Sequence, residues 1–159
     1  MILNNEETDR VKDFGEVFTP EDVVKKMCDL IPEDVWQDVD KTFLEPTCGN
    51  GNFLVEILER KLKFCKTKKS KIDALKSIYG VDILEDNVVE TRNRLGKIMI
   101  KNKNIVKDEI DEILNLNIIC GDTLKCVDNN GKYIKFRDWK TGEDVLLIDM
   151  INTQGSFNF

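Results

Sequence analysis

The chain has 159 residues, 34% of them charged, with a formal net charge of −6 and no histidine. That length suffices for one domain with a real core, and the acidic balance is wrong for a stand-alone nucleic-acid binder, which carries a basic footprint. The lack of histidine removes the commonest general base, the commonest metal ligand and every His-based triad.

Residues 1–13 are polar and charged and read as a lead-in with no basic or apolar leader signature, so a cytoplasmic location is expected. Thr19-Pro20-Glu21-Asp22 has the form of a helix entry, with Thr19 as cap, Pro20 at the first helical position and acids in the first turn. Val23, Val24, Met27, Leu30 and Ile31 then recur at helical spacing up to Pro32, predicting a helix over 20–31. Residues 33–41 read as acidic connecting sequence with Trp36 as a packing residue. Phe43-Leu44 reads as a strand end that passes through Glu45-Pro46-Thr47-Cys48-Gly49-Asn50-Gly51 into a helix from Asn52-Phe53 to about Phe64. The basic cluster at 60–71 reads as a solvated helix end rather than a phosphate-binding surface. Residues 72–78 read as a short helix or its end.

Ser77–Ile83 reads as a buried strand ending at Asp82, followed by a helix to about residue 101 and another over 106–114. Asn117–Cys120 is a further strand leading into Gly121-Asp122. Alternation of this kind predicts an α/β fold with a parallel sheet and helices on both of its faces. Beyond Asp122, a turn at Asp128–Gly131 suggests a hairpin of 133–139 with 124–127, and Thr141 or Gly142 could cap a last helix over 143–151. The expected organisation is a lead-in (1–13), one α/β domain (14–151) and a tail (152–159). The five cysteines, Cys28, Cys48, Cys65, Cys120 and Cys126, are odd in number and contain no Cys-x-x-Cys. They argue against a disulfide framework or a zinc ribbon, and no metal site is expected.

Three of the loops collect at strand C-termini, where open parallel sheets bind ligands. Gly49 and Gly51 give a tight strand-to-helix turn, but without the third glycine of the dinucleotide fingerprint. No lysine follows to grip a phosphate. Asp82, at the end of the second strand, is placed to accept two hydrogen bonds from a ribose diol. Singly, Asp82 is equally a loop or capping acid.

These pieces together resemble the S-adenosylmethionine-dependent DNA adenine-N6 methyltransferases. Gly15-Glu-Val-Phe-Thr-Pro20 is similar to their N-terminal cofactor motif, and Glu45–Phe53 to their glycine loop. Tyr79-Gly-Val-Asp82 is similar to the ribose-holding motif, and Cys120-Gly-Asp122 to the adenine-contacting one. The resemblance covers about residues 14–124 and implies a Rossmann-like methyltransferase fold. It implies an S-adenosylmethionine site formed by Phe18, Thr19, Pro20, Glu45, Pro46, Cys48, Gly49, Gly51, Asn52, Phe53, Asp82, Ile83, Asp122 and Thr123.

The chain departs from that family in its catalytic motif, and the later sheet strands and a target-recognition domain are also missing. The Asn/Asp-Pro-Pro-Tyr/Phe motif that holds a flipped adenine is absent, the three prolines being Pro20, Pro32 and Pro46. Asn152-Thr-Gln is a poor stand-in, so no catalytic residue is identifiable. The expectation is a cofactor-binding part of a truncated methyltransferase of a restriction-modification system, unable to methylate alone and reaching DNA only through a partner or a missing portion. The partner would be a second polypeptide or a second copy. The alternatives are a regulatory or decoy subunit, one part of a split enzyme, a methyltransferase for a small molecule or protein, and a structural domain of common ancestry.

Overall fold

The computed structural model describes residues 10, 11, 13, 16–102 and 104–153. Most of the lead-in, Phe14 and Gly15 of the N-terminal motif, and the tail from residue 154 lie outside the described residues. Helices α1 (Glu21–Cys28) and α2 (Glu33–Gln37) precede strand β1 (Phe43–Glu45). Then follow α3 (Asn52–Leu62), α4 (Lys68–Lys76), β2 (Ile78–Asp82), α5 (Glu85–Ile100), α6 (Lys107–Asn117) and β3 (Ile118–Asp122). The chain continues through β4 (Val127–Asp128), β5 (Lys135–Arg137), β6 (Asp144–Leu146) and α7 (Leu147–Thr153).

Strands β1, β2 and β3 are parallel neighbours, and β4 turns back antiparallel on β3. The expected α/β fold, a parallel-rich sheet flanked by helices, is what forms. Side-chain alternation divides the sheet into two faces. Phe43, Ile78 and Ile118 face the large core built with α1 to α6. Leu44, Tyr79, Val81 and Ile119 face a smaller core closed by Ile134, Phe136 and Leu147. The second face is thus covered largely by the β5–β6 hairpin, with α7 beside it.

Each long helix buries a stripe of period about 3.6: Leu54, Ile57, Leu58 and Lys61 on α3; Val88, Thr91, Leu95 and Met99 on α5; Ile110, Ile113, Leu114 and Asn117 on α6. Three members of these stripes are polar, and each is anchored to backbone carbonyls. Lys61 Nζ donates to Val39 O (3.3 Å) and Lys41 O (2.6 Å). Thr91 Oγ1 donates to Gly49 O (3.0 Å). Asn117 Nδ2 donates to Lys76 O (3.1 Å) and Ile78 O (2.9 Å), while its Oδ1 accepts from Trp139 Nε1 (2.9 Å). Buried polar groups persist only when paired in this way.

Several local expectations are corrected. Thr19 is not the cap of the first helix: Pro20 holds that position in an extended conformation and no side chain caps the end. The helix is also shorter than 20–31. Residues 33–37 are not connecting sequence but the one-turn helix α2, which buries Trp36 and stacks it on Phe43 at 5.3 Å. The helix read over 72–78 begins earlier, at Lys68, under a capping box of Thr67 and Ser70. The expected hairpin of 133–139 with 124–127 forms only next to its turn, where Val127 bridges Tyr133 and Ile134 N donates to Cys126 O at 2.9 Å; residues 135–137 pair elsewhere. Their partner is 144–146, and the segment read as a helix over 143–151 is strand β6 followed by α7. Thr141 and Gly142 make the hairpin turn, Gly142 at φ +76° and Thr141 Oγ1 accepting from Glu143 N. A turn with positive φ followed by β-branched Val145 favours the hairpin.

The basic cluster is solvated only in part. Lys63 and Lys66 are exposed, but Arg60 pairs with Glu56 and Asp29 and lies over Trp36. Lys61 is fully buried over the Phe43 ring.

Candidate functional site

The carboxyl ends of β1, β2 and β3 present Glu45, Asp82 and Asp122 on one edge of the sheet. The β1–β2 ladder continues into the glycine loop, with Cys48 N donating to Val81 O at 2.8 Å. Gly51 N then turns back to Cys48 O, also at 2.8 Å. Gly49 and Gly51 both sit at positive φ, +52° and +84°, where a side chain is strained. A Cβ at Gly51 would stand 2.8 Å from Thr91 Oγ1, and one at Gly49 would stand 3.1 Å from the Phe18 ring. Phe18, from the N-terminal motif, therefore lies directly on the loop.

Asp82 is the hub. It is buried, and its Oδ2 accepts Gly49 N at 2.8 Å. Its Oδ1 accepts Leu84 N (3.0 Å) and Asn87 Nδ2 (3.1 Å). A carboxylate has about four acceptor positions, so Asp82 is chiefly a latch for the loop and the acceptor of the turn that leads into α5. One acceptor position is left for a ligand hydroxyl, where the sequence had suggested two. The same Asn87 Nδ2 donates to Glu16 Oε1 at 2.6 Å, and Arg10 pairs with both Glu16 and Asp86.

The other sequence-derived residues fall into place around this hub. Asn52 Nδ2 donates to Thr19 O at 2.8 Å, joining the glycine loop to the segment before Pro20. Thr123 Oγ1 donates to Pro46 O, joining the end of β3 to the loop after β1. Ile83 is half-exposed beside these strand ends. Asp122 accepts from Lys125 through both the backbone N–H and Nζ, which holds its carboxyl below the ordinary range. Two of these side chains pack into the protein. The Cys48 thiol is buried against Gly80, its pKa pushed up to about 12 by burial and then by the charge of Asp82. Phe53 packs on the main core.

Glu45 is half-buried and makes no ion pair among the described residues. Burial pushes its carboxyl above the ordinary value, opposed by the Thr47 backbone N–H. Three contributors escaped the sequence reading, Asn87, Thr91 and Arg94, and Glu16 stood in the N-terminal motif without a role. Arg94 Nη1 donates to Asn50 O and to Asn52 Oδ1, both at 2.7 Å. Asn87 and Thr91 were legible in principle, as polar residues on the buried stripe of α5. Arg94 lies beside that stripe, where a cation on an amphipathic helix is unremarkable.

A glycine turn freed of Cβ atoms, donors tied back by Asp82, and acids without a phosphate-gripping cation fit a cationic nucleoside ligand. Sequence comparison agrees with that geometry. Residues 1–140 match the family model of N-6 DNA methylase, and the chain belongs to that family. Members of the family use S-adenosylmethionine. A relative, the Type II methyltransferase M.VspI of Vibrio sp. (strain 343), is 33% identical over 84 residues. The match takes in 53% of this chain and 17% of that protein's length. No solved structure matches. No helix among the described residues is long and apolar enough to cross a membrane.

Proposed function

We propose that this chain binds S-adenosylmethionine at the strand ends of β1, β2 and β3 and does not transfer the methyl group to DNA alone. The observation that carries the reading is the hydrogen-bonded circuit joining four distant motifs. Asn52 holds Thr19, Asp82 holds Gly49, and Thr123 holds Pro46. Glu45 would neutralise a cationic centre and Asp82 would accept one ribose hydroxyl. Bound there, S-adenosylmethionine supplies an electrophilic methyl on a sulfonium. What the chain lacks is the acceptor and stacking set that activates an adenine amine, a weak nucleophile whose lone pair is delocalised.

Calorimetric titration of the purified chain with S-adenosylmethionine should show binding, and no binding would sink the cofactor reading. A radiolabelled methyl-transfer assay on DNA should show no incorporation, and incorporation by the chain alone would refute the second half of the proposal.

A second reading concerns partners. The strand order ends at β1, whose outer edge pairs with no strand among the described residues. Beside its lead-in lies a cleft of about 820 Å³ lined by Val39, Tyr79, Phe136, Trp139 and Met150 among others. Unpaired sheet edges are sites of pairing, and the cleft beside this one adds charged side chains, among them Asp73, Lys76 and Arg137, to its apolar ones. Access to DNA would then come through a second polypeptide or a second copy seated there. Co-purification with a polypeptide bearing Asn-Pro-Pro-Tyr supports the split enzyme; a monomer with no such companion counts against it.

A further inference from the structure

Arg94 has no part in the sequence motifs, yet it reaches two of them. Its Nη1 donates to Asn50 O and to Asn52 Oδ1, each at 2.7 Å, and Asn52 Nδ2 donates to Thr19 O at 2.8 Å. Nη2 also lies 3.7 Å from Glu21 Oε1, in the first turn of α1. The Arg94 side chain is 21% exposed and Glu21 is 71% exposed, so that long ion pair contributes little. The two short bonds decide the arrangement. A guanidinium only donates, so Asn52 must turn its oxygen toward Arg94. Its amide nitrogen is then left facing Thr19 O. With the arginine gone, the amide could rotate and present its oxygen to the Thr19 carbonyl, which repels it.

We propose that Arg94 is a positioning residue of the cofactor site: it fixes the orientation of the Asn52 amide, which in turn holds Thr19, and with it the Phe18 ring, on Gly49. The inference rests on the cofactor reading for its ligand but concerns a linkage that exists without one. Phe18 is 43% exposed and packs on a glycine that offers it no Cβ. Its placement therefore depends on the adjoining backbone being tied down, and among the described residues the glycine-loop side chain that ties it is Asn52. Helix α5 thus sets the Phe18 side of the site through one amide.

The test is a mutant cycle on the full chain, read first without ligand by amide hydrogen exchange over residues 17–24. Arg94→Ala and Asn52→Asp should each speed exchange there; the second variant keeps an acceptor for Arg94 but has no donor for Thr19 O. The double variant should add nothing, because both changes break one relay. Arg94→Lys, which keeps one donor, should restore much of the protection and guards against a general folding defect. Titration with S-adenosylmethionine should then show a loss of about tenfold in each single variant and no more in the double, the size of one charge-assisted hydrogen bond. Unchanged exchange in Arg94→Ala, or additive effects in the double variant, overturns the relay. If the exchange pattern holds and the wild type binds no S-adenosylmethionine, the cofactor reading fails and the relay stands without its proposed ligand.

Discussion

Asp82 Oδ2 accepts the backbone N–H of Gly49 at 2.8 Å, across 33 residues of chain. The strand-end acid and the glycine loop are therefore one unit: the carboxylate that would meet the ligand also shapes the loop that would cradle it. Replacing Asp82 by Ala should then cost stability as well as affinity, because Gly49 and Leu84 lose their acceptor and Asn87 is left with Glu16 alone. We expect a loss of roughly 1–3 kcal/mol from unsatisfied buried donors. Urea unfolding without ligand checks this. An unchanged midpoint would show that Asp82 serves the ligand alone.

Gly51 tolerates no side chain on two counts. Its φ of +84° is left-handed, and a Cβ would meet Thr91 Oγ1 at 2.8 Å and Cγ2 at 2.9 Å. Gly51→Ala should lose at least the roughly 1–2 kcal/mol of a left-handed non-glycine residue, plus the cost of displacing Thr91 from Gly49 O. Pairing it with Thr91→Gly should recover the steric part and not the backbone part. Thermal melts of the two single variants and the double variant separate these contributions.

Glu45 gives the cofactor reading a pH signature. Burial raises its carboxyl above 4.5, opposed by the Thr47 N–H. The folded chain thus holds that proton more tightly than the unfolded chain, so on this account stability is greatest in acid and falls as pH rises through the raised value. Affinity for a cation runs the other way, rising with pH as the carboxylate forms. Titrations of S-adenosylmethionine at a series of pH values from 4.5 upward should show this rise in the wild type and its loss in Glu45→Gln. Parallel profiles for the two proteins would remove Glu45 from the site.

Lys61 is wholly buried, and burial lowers its pKa from 10.5 to about 8, against the pull of Asp38 and Asp40. The folded state binds this proton less well than the unfolded state. The cost is therefore full below about pH 8 and is relieved as pH rises from about 8 to 10.5. Lys61→Met should be less stable than the wild type near pH 7, because Val39 O and Lys41 O lose their donor. The gap should widen across that alkaline window, by roughly 3 kcal/mol at the upper limit. Paired denaturation curves at pH 7 and pH 10 measure the difference.

The readable part of this protein was its local chemistry. Strand ends at Glu45, Asp82 and Asp122 follow from short apolar runs broken by acids and glycines. The glycine turn follows from Gly49-Asn50-Gly51, and the α/β order from the spacing of apolar residues. These are properties of adjacent residues, and the sequence displays them directly. The failures were also local in origin. Val145 and the turn at Gly142 favour a strand where Thr141 or Gly142 had suggested the cap of a helix over 143–151. Thr19 had the composition of a cap, but its carbonyl was taken by Asn52 and Pro20 assumed the end of the helix.

What only the tertiary structure decided is how the motifs are tied together. Whether Asp82 would be a ligand acid or a loop latch turned on where Gly49 N points, since a carboxylate serves whichever donors the fold brings to it. Lys61, Thr91 and Asn117 look like interruptions of an apolar stripe until the carbonyls of Lys41, Gly49 and Ile78 are set opposite them. Arg94 carries no signal in its own neighbourhood. Its role arises because α5 packs beside α3 and places a donor-only guanidinium within 2.7 Å of the Asn52 amide. The sequence determined the glycine loop and the acids around it; the packing of helices against the sheet decided which of their atoms remain for a ligand, because hydrogen bonds between residues far apart in the chain exist only once the chain has folded.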